Sequence, residues 1–170
     1  DTLEFLDLED SPDAKFGALA SGQIDMVRTL DVTFAQRTKD HPDLVLSTCA
    51  SGQTNVARMQ MGVKPFDNPK VRKAMRLAID TRKVAEIGFY GVGVPAEHHH
   101  VSPLHPEYAE LPWHMQDIAG AKKLLSEAGY PNGIDIKIDM QNIPYQLTTI
   151  QVMKEMWAKA GIRVTINAMP

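Results

Sequence analysis

Several features are scarce in this chain of 170 residues, and each scarcity excludes a class of protein. Cys49 is the single cysteine, which excludes an internal disulfide and therefore a fold that disulfides stabilise. No stretch approaches the roughly 20 apolar residues that a membrane-spanning helix needs. Aromatic residues make up only 6% of the chain, and its net charge of −3 gives no general attraction to nucleic acid or to an anionic membrane.

What is present suits a soluble globular protein. Hydrophobic residues make up 44% of the chain, enough for a real core, and the length allows one or two compact units. The first 50 residues alternate between strand-like and helix-like patterns, which predicts a βαβαβ order. The predicted strands are Thr2–Leu8, Ile24–Val27 and Leu44–Thr48, and the predicted helices run from Ser11 to Ser21 and from Thr33 to Lys39.

The rest of the chain continues the mixture of helices and strands, so the predicted class is α/β or α+β. Asn68-Pro69 and Asp117 are capping sequences that begin helices with clear apolar arcs. Val94 to Met115 is rich in proline and histidine and has no periodicity, which indicates a long loop. The other predicted elements are strands at Asn55–Met61, Ile134–Met140 and Arg163–Ala168, and helices at Lys83–Tyr90 and Tyr145–Ala160.

A basic segment between Lys70 and Lys83 holds six lysines and arginines against one acid, Asp80. Such a segment could contact nucleic acid. It lies opposite a well-formed apolar arc, however, and no aromatic residue is interleaved to stack on a base. We therefore interpret it as the solvated face of a helix.

The histidines His98 to His100, with His105 and His114, raise the question of a metal site. Structural zinc usually takes four ligands, and neighbouring side chains on an extended segment point to opposite sides. Only His98 and His100 could then share an ion. A polar surface loop explains the cluster more simply, and no metal or cofactor is predicted.

No arrangement in the sequence indicates an enzyme. Cys49 follows an apolar segment with no activating base nearby, so a small buried residue is the preferred interpretation. Gly91-x-Gly93 lacks the lysine and the third glycine of phosphate-binding loops. Asp135 and Asp139 share one face of a strand, which is more simply a solvent face than a catalytic pair.

Two motifs in order carry a resemblance to a known family: PFDNPKVRKAMRLAID at Pro65–Asp80 and DIAGAKKLLSEAGYPNG at Asp117–Gly133. Between them lies GVGVPA, before them ALASGQIDM, and after them WAKAGIRVTI. The set resembles family 5 extracellular solute-binding proteins, the peptide- and nickel-type receptors of bacterial ABC importers. Related receptors also have a histidine-containing stretch near His98, although its form differs here.

The resemblance implies a periplasmic-binding-protein type II fold, with two α/β lobes joined by a hinge and the ligand enclosed between them. Residues 1–50 would be the C-terminal part of the first lobe and residues 51–170 most of the second. The crossing is expected near Ala50-Ser51-Gly52. Members of the family are longer and carry a secretion signal, so we expect this chain to be a fragment.

The implied function is capture of a peptide-like solute and its delivery to ABC permease subunits, from a periplasmic, extracellular or lipid-anchored position. A metal chelate, an opine or a sugar is the alternative ligand, and an α/β hydrolase or transferase is the alternative of another class. Polar groups at strand ends are candidates for contacting ligand, because open α/β folds bind ligands there. They are Gln53, Thr54, Asn55, Gln141, Asn142 and Tyr145.

Overall fold

The structure of the chain is a computed structural model that describes residues 2–8, 11–49 and 51–170. The chain divides into two units, Asp1–Cys49 and Ala50–Pro170. Ala50, the first residue of the predicted crossing, lies outside the described residues.

Two short helical segments form the first unit. Helix α1 spans Pro12–Ala20, and a 3₁₀ turn at Val32–Phe34 leads into α2 at Ala35–Lys39. The predicted cap is confirmed, because the Ser11 hydroxyl accepts a hydrogen bond from the Ala14 N–H. The rings of Phe16 and Phe34 stack with centroids 5.4 Å apart, and the Arg37 guanidinium lies over both.

The strands predicted in this unit are not formed, so the βαβαβ prediction is wrong. Thr2–Leu8, Ile24–Val27 and Leu44–Thr48 are irregular, and so is Asn55–Met61 in the second unit. Alternating apolar residues show that a segment could become a strand, but a strand exists only when its backbone is paired with a neighbour. The described residues provide no such partner.

The second unit contains the regular structure of the chain. Its elements in order are α3 at Pro69–Leu77, α4 at Thr81–Lys83, a π-helical turn at Val84–Gly88, α5 at Ile118–Glu127, β1 at Ile134–Gln141, α6 at Pro144–Lys159 and β2 at Ile162–Met169. The predicted caps are confirmed, since the side chains of Asn68 and Asp117 accept hydrogen bonds from the N–H groups of Lys70 and Gly120. The helix predicted at Lys83–Tyr90 is wrong in type, because most of it takes the wider π form.

Strands β1 and β2 are parallel neighbours connected by α6. Their register runs from Ile134 opposite Ile162 to Gln141 opposite Met169. Buried and exposed residues alternate at the start of both strands, as expected for a sheet with one face on a core. On the exposed face the Arg163 guanidinium donates two hydrogen bonds of 2.7 Å to Asp135.

The core of the second unit packs helices α3, α5 and α6 with both strands. The apolar arc predicted on α3 is confirmed, because all five of its residues are buried. Three lie in the helix and two directly after it: Val71, Ala74, Met75, Ala78 and Ile79. Trp157 of α6 is only 2% exposed, so the interpretation of this residue as core is also confirmed.

The C-terminal end of α3 is held by groups from elsewhere in the unit. The last carbonyls of a helix have no partner within the helix. Here the Trp157 indole N–H donates to the Met75 carbonyl at 3.0 Å. The Asp117 N–H donates to the Leu77 carbonyl and the Gln116 side-chain amide to the Ala78 carbonyl, both at 2.8 Å. Three separate donors therefore fix the position of α3 on the core.

Replacing Trp157 by alanine should destabilise the protein strongly. The change leaves a cavity and deprives the Met75 carbonyl of its donor, and truncating a buried aromatic residue typically costs about 3–5 kcal/mol. Trp113→Ala is the matched control, because that ring is only half-buried and stacks under Arg82. Thermal and urea unfolding should show a much larger loss for Trp157→Ala. An unchanged midpoint would contradict the packing of α6 on α3.

Candidate ligand-binding site

Three of the predicted site residues lie together where β1 ends and α6 begins. Gln141 is the last residue of β1, Asn142 follows it, and Tyr145 is in the first turn of α6. The Asn142 N–H donates to the Met169 carbonyl at 2.8 Å, which continues the pairing of β1 with β2 by one residue. Gln141 and Asn142 are exposed and Tyr145 is half-buried. This edge therefore presents amide groups and a phenol at the carboxyl end of a parallel strand pair.

The other three predicted residues lie on an irregular segment at the start of the second unit. Gln53 and Asn55 are exposed and Thr54 is half-buried. The Gln53 N–H donates weakly to the Ser51 hydroxyl, at 3.4 Å. No hydrogen bond among the described residues joins this set to Gln141, Asn142 or Tyr145.

His105, which sequence reasoning did not place near this segment, packs against Gly52. A Cβ added to Gly52 would lie 2.9 Å from His105 Nε2, so a larger residue there would displace the imidazole ring. The Ser102 N–H donates to His105 Nδ1 at 2.9 Å, which assigns the proton of the neutral ring to Nε2. The only signal in the sequence is the proline on each side of the Leu104-His105 pair, which favours a tight turn.

Phe89 is the second residue that sequence reasoning missed. Its ring centroid lies 5.0 Å from that of Tyr145, in an edge-to-face arrangement at 66°. The two residues are far apart in sequence and no periodicity connects them, so the pair follows only from the packing of the π-helical turn against α6.

The histidine cluster contains a pair of rings in contact. The rings of His98 and His114 meet edge to face, 5.4 Å between centroids, and the buried His114 Nε2 has no hydrogen-bond partner among the described residues. Partial burial, together with the neighbouring charges of His114 and Arg76, lowers the pKa of His98 from 6.5 to about 4. Burial and the charge of Arg76 also lower the pKa of His114, against the opposing effect of Asp117.

His99 has its own partners in the same loop. His99 Nε2 lies 3.0 Å from Glu97, and the same carboxylate accepts a hydrogen bond of 2.9 Å from the Tyr108 hydroxyl. That hydrogen bond raises the pKa of Tyr108. Across residues 2–8, 11–49 and 51–170, no three His, Cys, Asp or Glu side chains are grouped so that they could hold a metal.

Several basic residues of the segment from Lys70 to Lys83 have partners within the protein. Lys70 pairs with Glu127 at 2.9 Å, and Arg72 donates to the carbonyls of Phe66 and Asp67 at 2.7 and 3.1 Å. The Arg82 guanidinium lies 4.5 Å from the centroid of the Trp113 ring. These contacts explain the charges as local structure, which agrees with a solvated helix face.

The carboxylates of β1 are also paired. Hydrogen bonds from Arg163 lower the pKa of Asp135, and those from Asn167 and Lys137 lower the pKa of Asp139. Both residues are exposed, as expected for a solvent face.

The interpretation of Cys49 as a buried residue is wrong, because Cys49 is exposed. The predicted strand Leu44–Thr48, which would have carried it into a core, is not formed.

Comparison with known proteins decides the family. The model of "Bacterial extracellular solute-binding proteins, family 5 Middle" matches residues 1–170. The chain belongs to this family. The glutathione-binding protein GsiB of Pectobacterium atrosepticum is 35% identical to it over 112 residues, which is 65% of this chain. The chain spans about a fifth of the length of that protein, 22%.

Solved structures of the same family show the type II periplasmic-binding-protein fold in this chain. NikA from Staphylococcus aureus, solved with Ni(L-His)2, has a TM-score of 0.80 at 22% identity, covering 95% of this chain and 35% of NikA. The periplasmic binding protein DppA from Helicobacter pylori, solved with the peptide STSA, has a TM-score of 0.73 at 24% identity, covering 93% of this chain and 31% of DppA. Likeness at this level of identity shows the fold alone.

The described helices were also searched for membrane spans. None of them combines the length and the apolar composition that crossing a bilayer requires.

The stability of the second unit should fall as the pH drops from about 6.5 towards 4. The pKa of His98 in the folded state, about 4, is below its ordinary value of 6.5, so the unfolded chain binds more protons in this window. This contribution to stability is complete above pH 6.5 and is lost as the pH approaches 4. Urea unfolding across the range would measure it.

His98→Gln should flatten this pH dependence. Arg76→Gln should flatten it partly, since the charge of Arg76 opposes protonation of both His98 and His114. An unchanged slope in His98→Gln would contradict the account of the histidine pair.

The basic face of α3 should not bind nucleic acid. Binding through lysine and arginine would be strongest at low salt and would fall steeply as salt rises. We expect no change in the fluorescence anisotropy of labelled duplex DNA or single-stranded RNA at about 0.15 M ionic strength. Binding that disappears in the Arg72→Glu, Arg76→Glu double variant would argue for the nucleic-acid function instead.

Proposed function

We propose that this chain is part of the substrate-binding component of an ABC importer, which captures a peptide-like solute in the periplasm and delivers it to the permease subunits. The observation that carries this proposal is the 35% identity to a glutathione-binding protein over 112 residues, because glutathione is itself a tripeptide. The chain spans only 22% of that relative, so the whole receptor's activity extends beyond these residues.

The proposed ligand site lies at the carboxyl end of the β1–β2 pair, with Gln141, Asn142 and Tyr145 as the contacting residues. Open α/β folds bind ligands at this position, and these side chains offer the donors and acceptors that a peptide backbone requires. The segment Gln53–Asn55 would reach the ligand from the start of the second unit. We propose the two lobes as residues 1–50 and 51–170.

The proposed mechanism is a shift in population. A ligand that touches both lobes only when they are closed stabilises the closed state by its differential affinity. The closed receptor is then the form that the permease subunits would recognise. The small residues Ser51 and Gly52 suit a hinge, because small side chains restrict rotation of the backbone dihedral angles less than large ones do.

The alternative ligands are a metal chelate, an opine and a sugar. Solved relatives bound to Ni(L-His)2 and to agropinic acid support the first two, but they share only 22% and 23% identity with this chain. The higher identity to GsiB therefore favours a peptide-like ligand. GsiB and DppA are named as binding proteins, which supports a non-enzymatic role over a hydrolase or transferase.

These 170 residues alone should bind peptides weakly or not at all, while the full-length receptor should bind them well. A receptor that shares ligand contacts between two lobes loses part of them in either piece, and each tenfold loss of affinity corresponds to about 1.4 kcal/mol. Calorimetry with glutathione and with a pool of di- to pentapeptides would compare the two proteins. Micromolar binding by this chain alone would overturn the division of the lobes. A full-length receptor that binds no peptide would overturn the proposed ligand class.

A further inference from the structure

The π-helical turn at Val84–Gly88 brings its last residue unusually close to α6. Gly88 is buried, and a Cβ added to it would lie 2.8 Å from the Cα of Thr149. Real side chains do not tolerate such an approach, so the two backbones can meet only because residue 88 is glycine. π-helical turns are rare and frequently occur at functional sites, which directs attention to what this contact holds in place.

The hydroxyl of Thr149 stabilises the contact between Gly88 and α6. This oxygen lies 3.0 Å from the Gly88 carbonyl and 2.7 Å from the Tyr145 carbonyl, and its single proton is shared between the two acceptors. It therefore joins the end of the π-helical turn to the first turn of α6, where Tyr145 begins.

Phe89 follows Gly88 directly and holds the ring of Tyr145. The two rings meet edge to face with centroids 5.0 Å apart. A Cβ added to Gly93 would lie 3.2 Å from the Phe89 ring, so the turn after the π-helix closes tightly against it. Gly93 and Tyr145 therefore both lie against the Phe89 ring.

The hydroxyl of Tyr145 retains an unused donor. The Gln146 side-chain amide donates to its oxygen at 3.4 Å. A phenol both accepts and donates, and no acceptor for its proton is found among residues 2–8, 11–49 and 51–170. Tyr145 is half-buried, so part of its side chain is open to a ligand.

We propose that Gly88, Phe89 and Thr149 fix Tyr145 so that its O–H donates a hydrogen bond to a carbonyl or carboxylate oxygen of the ligand. This inference rests on the proposed peptide-binding function and names the ligand group that Tyr145 takes. Tyr145 is the binding residue, and Phe89 and Thr149 are positioning residues. A ring held before the ligand arrives loses little conformational freedom on binding, which preserves the affinity gained from the hydrogen bond.

The first experiment measures the position of the ring without ligand. NMR of this chain with labelled tyrosine, assigned through Tyr145→Phe, should show a clear shift of the Tyr145 ring resonances in Phe89→Leu. Phe89→Tyr should restore them, because it keeps the aromatic edge. Phe66→Leu is the matched control: it also removes a partly buried ring from the core of the second unit and should leave the Tyr145 resonances in place. Equal shifts in both leucine variants would overturn the positioning role.

The second experiment measures binding of trialanine and glutathione to the full-length receptor by calorimetry. Tyr145→Phe removes only the hydroxyl and should weaken binding by about two- to tenfold, the range for one hydrogen bond. Phe89→Leu should weaken it to a similar degree and Phe66→Leu should not. The Tyr145→Phe, Phe89→Leu double variant should lose no more than the single variants, since both act through one hydroxyl.

The outcomes separate this inference from the proposed function. Full affinity in Tyr145→Phe, with good binding by the unaltered receptor, would overturn the inference and leave the function standing. Additive losses in the double variant would overturn the positioning role of Phe89. An unaltered receptor that binds neither probe would overturn the function, and the inference with it.

Discussion

The position of α3 on the core depends on what satisfies the carbonyl groups at its C-terminal end. Those groups would be costly to bury unpaired, and here the carbonyls of Met75, Leu77 and Ala78 accept hydrogen bonds from α6 and from the segment that precedes α5. The Trp157 indole is the most important donor, because the same side chain also fills the core. Helix α3 lies within the most recognisable family motif, Pro65–Asp80. One aromatic side chain, that of Trp157, thus binds this helix to α6.

This arrangement explains how a chain with little sheet can still present a defined edge. Strands β1 and β2 and helix α6 form one βαβ unit, and α3 and α5 cover its buried face. The opposite end of α6 from Trp157 carries Tyr145, so the anchor and the candidate site share one rigid helix of 16 residues. Packing at one end of α6 therefore determines where the polar groups at its other end are held.

The sequence allowed prediction of features whose causes are local. The caps at Ser11, Asn68 and Asp117 and the apolar arc of α3 depend on neighbours within a few residues, and all were confirmed. The strands predicted in the first unit were not confirmed. The alternation of residues at Leu44–Thr48 shows that the segment suits a strand, but it does not show which other strand would pair with it. The π-helical turn was missed because it interrupts helical periodicity. Gln141, Asn142 and Tyr145 were grouped correctly at one edge since they are close in sequence, whereas Phe89 joins them only through tertiary packing.

The parallel pairing of β1 with β2 also has a consequence for the order in which the unit folds. The paired residues are 28 positions apart, whereas the Trp157–Met75 hydrogen bond joins residues 82 positions apart. Closing the longer loop costs about 1 kcal/mol more in chain entropy, since each doubling of loop length costs about 0.6 kcal/mol. Contacts between nearer residues form faster. Chain entropy therefore favours formation of the βαβ unit before α3 docks on it.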